Sequence, residues 1–291
     1  MKLLHRAKSV TRNLRKLVYH RAVPPPNGRK ITAFIFGCQR SGTTLLLNVF
    51  DADPRCYAYP EWSDLCVEGE MRKTLRWRPL SQAKEMVDRN PAPLTVMKPI
   101  VESQHAWEIL ETFPEAHAVW MFRDFRDVAS SNVVQFNARL NDLGPIVRND
   151  PTDWRSSRAS DEVQSFIGEF YDKNLSDQEA AALFWYARNR LFFDEHLDTH
   201  PRIRLLQYEA LVAEPKAWLQ KVYDFIGAVY PQNGIETIPH RTSVGKGKHF
   251  SIRRPIAIAC NSLFERLCGY AENQWFGKTG RRPSIPDVKN G

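Results

Sequence analysis

Ile31-Thr32-Ala33-Phe34-Ile35-Phe36-Gly37-Cys38-Gln39-Arg40-Ser41-Gly42-Thr43-Thr44 decides the fold. The run 31–36 is uncharged, β-branched and aromatic, short enough for a strand buried on both faces. Gly37 and Gly42 bracket a turn, and residues 43–51 read as a helix. The same alternation recurs outward along the chain. Leu94–Met97 precedes a helix around Gln104–Thr112, Ala116–Phe122 precedes one from about Asp127, and Ile203–Tyr208 precedes Glu214–Ile226. Strands alternating with helices predict an α/β fold, a parallel sheet flanked by helices on both faces. Right-handed crossovers then bring the strand ends that carry the following loops to one edge.

The chain has 291 residues, 43% hydrophobic and 25% charged, as expected for a globular enzyme of one domain or one domain with an inserted cap. Its formal charge of +8 is unevenly spread. Residues 1–30 hold nine Lys and Arg and no acid, which leaves 32 basic against 33 acidic residues in 31–291. The body is therefore no basic surface for nucleic acid. No apolar window is long enough to span a bilayer, and the N-terminus lacks the apolar core of a secretory signal. Cys38, Cys56, Cys66, Cys260 and Cys268 show neither a disulfide framework nor a zinc spacing, and read as reduced thiols of a cytoplasmic protein. No metal site is expected.

Within residues 1–22, Leu3, Ala7, Val10, Leu14 and Leu17 recur at helical spacing among basic residues. Such a helix either docks on its own domain or frays, or it makes a peripheral contact with an anionic membrane surface. Pro24-Pro25-Pro26-Asn27-Gly28 form a stiff linker. Between about 137 and 177 the periodicity fails in a stretch rich in Asn, Asp, Arg, Ser and Pro, which is read as a structureless lid or insert. A helix over Gln178–His196 is expected to be apolar on one face through Ala182, Trp185, Tyr186, Asn189 and Phe193. Residues 277–291 read as a loose polar tail.

Chemistry concentrates in Gly37–Thr44. Its glycines have the spacing of G-x-x-x-x-G-K-[ST], whose backbone N–H groups wrap a phosphate at a helix N-terminus. The lysine that nucleoside triphosphatases place on the β- and γ-phosphates is Thr43 here, which counts against ATP or GTP hydrolysis. An anion cradle remains, with Arg40 inside it.

Gly37-x-x-Arg40-Ser41-Gly42-Thr43-Thr44 resembles the 5′-phosphosulfate loop of sulfotransferases that use 3′-phosphoadenosine 5′-phosphosulfate (PAPS). Trp120-Met121-Phe122-Arg123-Asp124-Phe125-Arg126-Asp127-Val128-Ala129-Ser130-Ser131 resembles that family's 3′-phosphate element, which implies Arg123 and Ser131 as the pair on that phosphate. Without that context, Arg-Asp-x-Arg-Asp is an ordinary surface ion-pair cluster. Gln207-Tyr208-Glu209-Ala210-Leu211 is similar to the segment whose tyrosine, here Tyr208, lies near the adenine. Ser243-Val244-Gly245-Lys246-Gly247-Lys248-His249 is similar to the late basic loop over the nucleotide, which implies Lys246 there, although Lys246 and Lys248 read equally well as solvated charges. Cys260–Tyr270 resembles the closing helix of the bacterial branch.

The resemblance implies in-line, metal-independent sulfuryl transfer to a hydroxyl acceptor, governed by positioning and electrostatics. Ser41, Gly42, Thr43 and Thr44 would hold the 5′-phosphate, with Arg40 as the leaving-side cation. Asp51-Ala52-Asp53-Pro54-Arg55-Cys56-Tyr57-Ala58-Tyr59-Pro60-Glu61 is similar to the stretch that delivers a Glu as general base in tyrosylprotein and related sulfotransferases, and Glu61 matches it. The histidine context of the cytosolic branch is not reproduced at His105 or His117. Glu61 otherwise reads as a carboxylate at the N-terminus of a helix from about Trp62. Lys98, 25 residues before Arg123, has the spacing of the transition-state lysine in the tyrosylprotein branch. Tyr57, Tyr59, Trp62, Trp77 and Trp154 are candidates for lining an acceptor site, with carbohydrate or glycolipid ahead of peptidyl tyrosine. A P-loop kinase for a small hydroxyl compound and a membrane-docked, non-catalytic nucleotide-binding protein are the alternatives.

Overall fold

Five strands form one parallel sheet: β1 (Ile31–Gly37), β2 (Cys56–Tyr59), β5 (Leu94–Met97), β6 (His117–Phe122) and β7 (Ile203–Gln207), in the order β2-β5-β1-β6-β7. A separate hairpin pairs β3 (Cys66–Glu68) with β4 (Leu75–Trp77). The computed structural model describes residues 16, 18–20, 29–68, 75–136, 142–232, 234–240, 243–247 and 249–277. Most of the N-terminal arm and its linker, the segment 137–141, Lys248 and the tail from 278 onward lie outside the described residues.

Register shows why both faces are covered. Phe36 lies opposite Trp120 and Ile35 opposite Val119, so Phe34, Phe36 and Trp120 share one face. Phe34 packs on Phe113, just past α3 (Ala106–Thr112), at 5.2 Å between ring centroids. Trp120 packs on Phe192 of α7 (Asp177–Asp194) at 5.7 Å. On the opposite face, His117 meets Phe225 of α9 (Pro215–Ile226) at 5.0 Å, and Phe50 of α1 (Thr43–Ala52) meets Tyr223 of α9 at 5.1 Å. Phe34, Phe36, Trp120, Phe50 and Phe192 are fully buried, each contributing about 1.5–3 kcal/mol over an exposed side chain. The expected α/β sheet with helices on both faces is therefore present.

Side chains bond the free edges of the sheet at a few points. Along β7, Gln274 of α10 (Arg254–Phe276) accepts from Leu205 N at 2.8 Å. On β2, Lys16 donates to Cys56 O and to Asp51, both at 2.9 Å, while His20 contacts Pro54 O at 2.9 Å. These contacts match the docked reading of the N-terminal segment at the residues described there.

Two expectations are corrected. The stretch read as structureless carries α5 (Gly144–Val147) and α6 (Asp161–Phe170), and it buries Leu143, Ile146, Trp154, Val163 and Ile167 in the core. Most of its described polar residues are at least partly exposed and hid a sparse apolar pattern. Helix α7 is buried on nearly every side, since Ala181, Leu183 and Phe184 are as inaccessible as Trp185. It packs between α4 (Phe125–Phe136) and α10, and starts at a capping box of Ser176 and Glu179. All five cysteines are free thiols, and burial pushes Cys38 up to about 12.

Gly37 ends β1 with φ +127°, and a Cβ there would sit 2.2 Å from Met121 O of the neighbouring strand. Gly37→Ala is expected to destabilise the fold by roughly 3 kcal/mol or more, through backbone strain plus overpacking. Urea denaturation measures this.

Candidate active site

The loop after β1 opens α1 without a side-chain cap, and no acidic residue occupies the first turn of the helix. Its first N–H groups are therefore left for an anion, at the positive end of the helix dipole. Arg40 holds φ +68° and is exposed, while the Ser41 hydroxyl is buried with no partner. Thr43 is buried and Thr44 exposed. Gly42 adopts φ +92°, and a Cβ there would lie 2.5 Å from the Tyr208 ring. Tyr208, at the start of α8 (Tyr208–Ala213), thus forms one wall of the loop. Gly42→Ala is expected to displace that wall and weaken adenosine 3′,5′-bisphosphate binding at least about tenfold, readable by calorimetry.

Two expected residues converge beside this loop. Lys98 follows β5, is 6% exposed, and donates from Nζ to Glu61 Oε2 at 2.9 Å and to Thr44 Oγ1 at 3.4 Å. Glu61 is not at a helix start: residues 61–65 form turns into β3, so no helix dipole stands behind this carboxylate, contrary to the alternative expectation. Burial raises the Glu61 pKa above the usual carboxylate range, with Lys98 pulling the other way. A carboxylate displaced in that direction is better matched to accepting a proton near neutral pH.

Arg40 reaches across the loop, its Nε donating to Ser131 Oγ on α4 at 2.9 Å. Residues matched separately to the 5′- and 3′-phosphate elements are thus directly bonded. Burial and the nearby Arg123 guanidinium both lower the Arg40 pKa.

Arg123, at the end of β6, is 4% exposed and stacks over the Tyr208 ring at 4.4 Å. Nη2 donates to Asp127 Oδ2 at 3.2 Å and to Ser243 O, which leaves Nε without a partner. Asp127 also accepts from Gly245 N at 2.7 Å and Gly247 N at 2.8 Å, fastening the late loop over the turn. The Tyr208 hydroxyl bonds Ser243 Oγ at 2.7 Å. Lys246 lies exposed on that loop.

Sequence reasoning assigned no role to Asp127, Ser243 or Glu209. The Arg123-x-x-x-Asp127 spacing, from the strand end to the first turn of α4, was the available signal for the first. Glu209 accepts from Asp124 N at 3.1 Å, and burial pushes it up to about 7. His117 opens β6 at the opposite end of the sheet, away from the loop.

Of the aromatic candidates, Tyr59 is buried with its hydroxyl accepting from Asn90, Trp77 packs on Phe34, and Trp154 lies under the buried Arg188. Those three are structural. Trp62, beside Glu61, is 71% exposed, and Tyr57 is also exposed. Among the described residues no cluster of His, Cys, Asp and Glu could hold a metal ion, and no helix is long and apolar enough to cross a membrane.

A family model described as a sulfotransferase domain matches residues 30–259. The fold is similar to the sulfotransferase domain of the olefin synthase from Synechococcus PCC 7002, with a TM-score of 0.52 and 18% identity over 84% of this chain and 96% of that one. A sulfotransferase domain from the curacin biosynthetic pathway has a TM-score of 0.45 and 18% identity over 90% of this chain and 93% of that one. A mouse sulfotransferase complexed with PAP has a TM-score of 0.47 and 13% identity over 89% of this chain and 90% of that one. No curated protein matches the sequence.

Proposed function

The chain belongs to the sulfotransferase family, and on that premise we propose that it moves the sulfuryl group of PAPS to a hydroxyl acceptor, with Glu61 as general base. The observation that carries this is Lys98 Nζ, bonded at once to Glu61 and to Thr44 of the phosphate-type loop. It puts a base, a cation and an anion cradle side by side.

The residues present fit the donor. Ser41 Oγ and Arg123 Nε are buried polar atoms without partners, and the cradle at Gly42 would be filled by any Cβ. The N–H groups of residues 41–44 and the Thr43 and Thr44 hydroxyls hold the 5′-phosphate, Arg123 and Ser131 the 3′-phosphate, and Tyr208 and Lys246 flank the nucleotide. Glu61 takes the proton of the acceptor hydroxyl as its oxygen bonds to sulfur and the bond from sulfur to the phosphate oxygen breaks. Lys98 stabilises charge on the sulfuryl oxygens, and Arg40 stabilises it on the leaving phosphate. No step needs a metal ion.

Trp62 favours a carbohydrate or glycolipid acceptor over peptidyl tyrosine, because an exposed indole beside the base offers a flat face to a sugar ring. The enzyme acts in the cytoplasm, with Lys16 and His20 of the N-terminal segment docked on its own domain.

The pH dependence tests the Glu61–Lys98 pair. A general base works ionised, so kcat/KM falls as pH drops through its pKa. Lys98 holds that pKa down against burial; in Lys98→Met burial acts alone, and the acid limb is expected to move to higher pH as kcat falls. A pH–rate profile of the variant with an unmoved acid limb excludes Glu61 as the base.

A further inference from the structure

We infer that Glu209 is a positioning residue for Arg123 that takes up a proton as a nucleotide 3′-phosphate reaches that guanidinium, so that the donor binds with net proton uptake. The inference rests on the donor reading above.

Glu209 lies next to Tyr208 on α8, and its carboxylate faces the turn between β6 and α4. Oε1 stands 4.0 Å from Arg123 Nε and accepts from Asp124 N, while Oε2 is buried with no partner. Arg123 Nε is likewise buried and unpartnered, so the two charges face each other without a direct hydrogen bond. On its other side Arg123 already has Asp127. One buried guanidinium thus stands between two carboxylates before any phosphate arrives.

Adding a phosphate dianion there places further negative charge in a space with little water, and the least stabilised carboxylate gives way. Asp127 accepts from Arg123 and from the N–H groups of Gly245 and Gly247. Asp124 accepts from Arg126 N at 2.8 Å and has the Arg126 guanidinium at 3.9 Å. Arg40 faces Arg123 from the loop, and Lys246 on the late loop is exposed to solvent. Glu209 is bonded only by backbone N–H groups, that of Asp124 and its own, has its nearest cation at 4.0 Å and keeps Oε2 without a partner, so a proton from solvent settles on Oε2. Its pKa, already pushed up to about 7 by burial, makes this a titration near neutral pH.

Above about pH 7.5 the phosphate itself, with a second pKa near 6, is fully ionised and contributes no proton change. Uptake by the protein then makes affinity fall as pH rises, at most about tenfold per pH unit. The test is calorimetric titration of the full chain with adenosine 3′,5′-bisphosphate at about pH 8, in HEPES, Tricine and Tris, whose ionisation enthalpies differ. The dependence of the observed heat on buffer enthalpy gives the protons taken up.

The expected result is uptake of about half a proton in the wild type, none in Glu209→Gln, and uptake of the same sign in Glu209→Asp. A merely structural role for Glu209 would not move this number. Bisphosphate binding with no uptake in the wild type, or with equal uptake in Glu209→Gln, overturns the inference and leaves the donor reading intact. Absence of bisphosphate binding overturns both.

Discussion

Glu61→Gln is expected to lower kcat by about 100- to 10,000-fold while leaving adenosine 3′,5′-bisphosphate affinity within about twofold of wild type. Gln keeps the volume and one hydrogen-bond acceptor, so Lys98 retains a partner and the fold is preserved. What is lost is the ability to take a proton from the acceptor hydroxyl. Lys98 would attract a carboxylate whether or not chemistry followed, so the short Glu61–Lys98 contact alone does not identify a base. The kinetic split does. A loss confined to KM would assign Glu61 to acceptor binding, and a loss of nucleotide affinity would assign it to the donor side. Steady-state kinetics with a hydroxyl acceptor, beside calorimetry with the bisphosphate, separates these outcomes.

Arg123→Ala is expected to weaken bisphosphate binding by roughly 2–4 kcal/mol, about 30- to 1,000-fold, and to leave AMP binding nearly unchanged. The guanidinium is buried, stacked on Tyr208, and keeps an unpartnered Nε, so charge-assisted bonds to a phosphate form in a site with little water. AMP lacks the 3′-phosphate, and comparing the two ligands isolates that contact from general damage to the loop. Asp127 keeps its bonds from Gly245 and Gly247 in the variant, which holds the late loop in place. Equal losses for both ligands would mean that Arg123 supports the turn without meeting the 3′-phosphate.

The central strands were legible because burial on both faces demands continuous apolar runs. Residues 31–36 and 116–122 are such runs, and they became β1 and β6 within a residue of the expected limits. Strand β2 hid inside a stretch read for its glutamate, since Cys56–Tyr59 is a four-residue edge strand with one exposed tyrosine. The β3–β4 hairpin has three residues in each strand, too few for a period to show. Helix α6 escaped because only Val163 and Ile167 of its ten residues are buried.

The candidate site was legible where a residue type is bound to a loop or strand end: Arg40, Lys98 and Arg123 lie at the edge where the sheet delivers its loops. Contacts closed by distant segments were not. The bond from Arg123 to Ser243 and those from Gly245 and Gly247 to Asp127 span more than a hundred residues, and nothing in either segment names the other. The aromatic candidates show the same limit. Burial separates Tyr59 and Trp154 from the exposed Trp62, with Trp77 half-buried against Phe34, and no local pattern anticipates it.

The measurement that bears most directly on the account is calorimetric titration of the protein with adenosine 3′,5′-bisphosphate, beside AMP and ATP, with and without magnesium. Micromolar binding that requires the 3′-phosphate and ignores magnesium is the predicted result. Preference for ATP with magnesium would contradict it and point to a P-loop kinase instead.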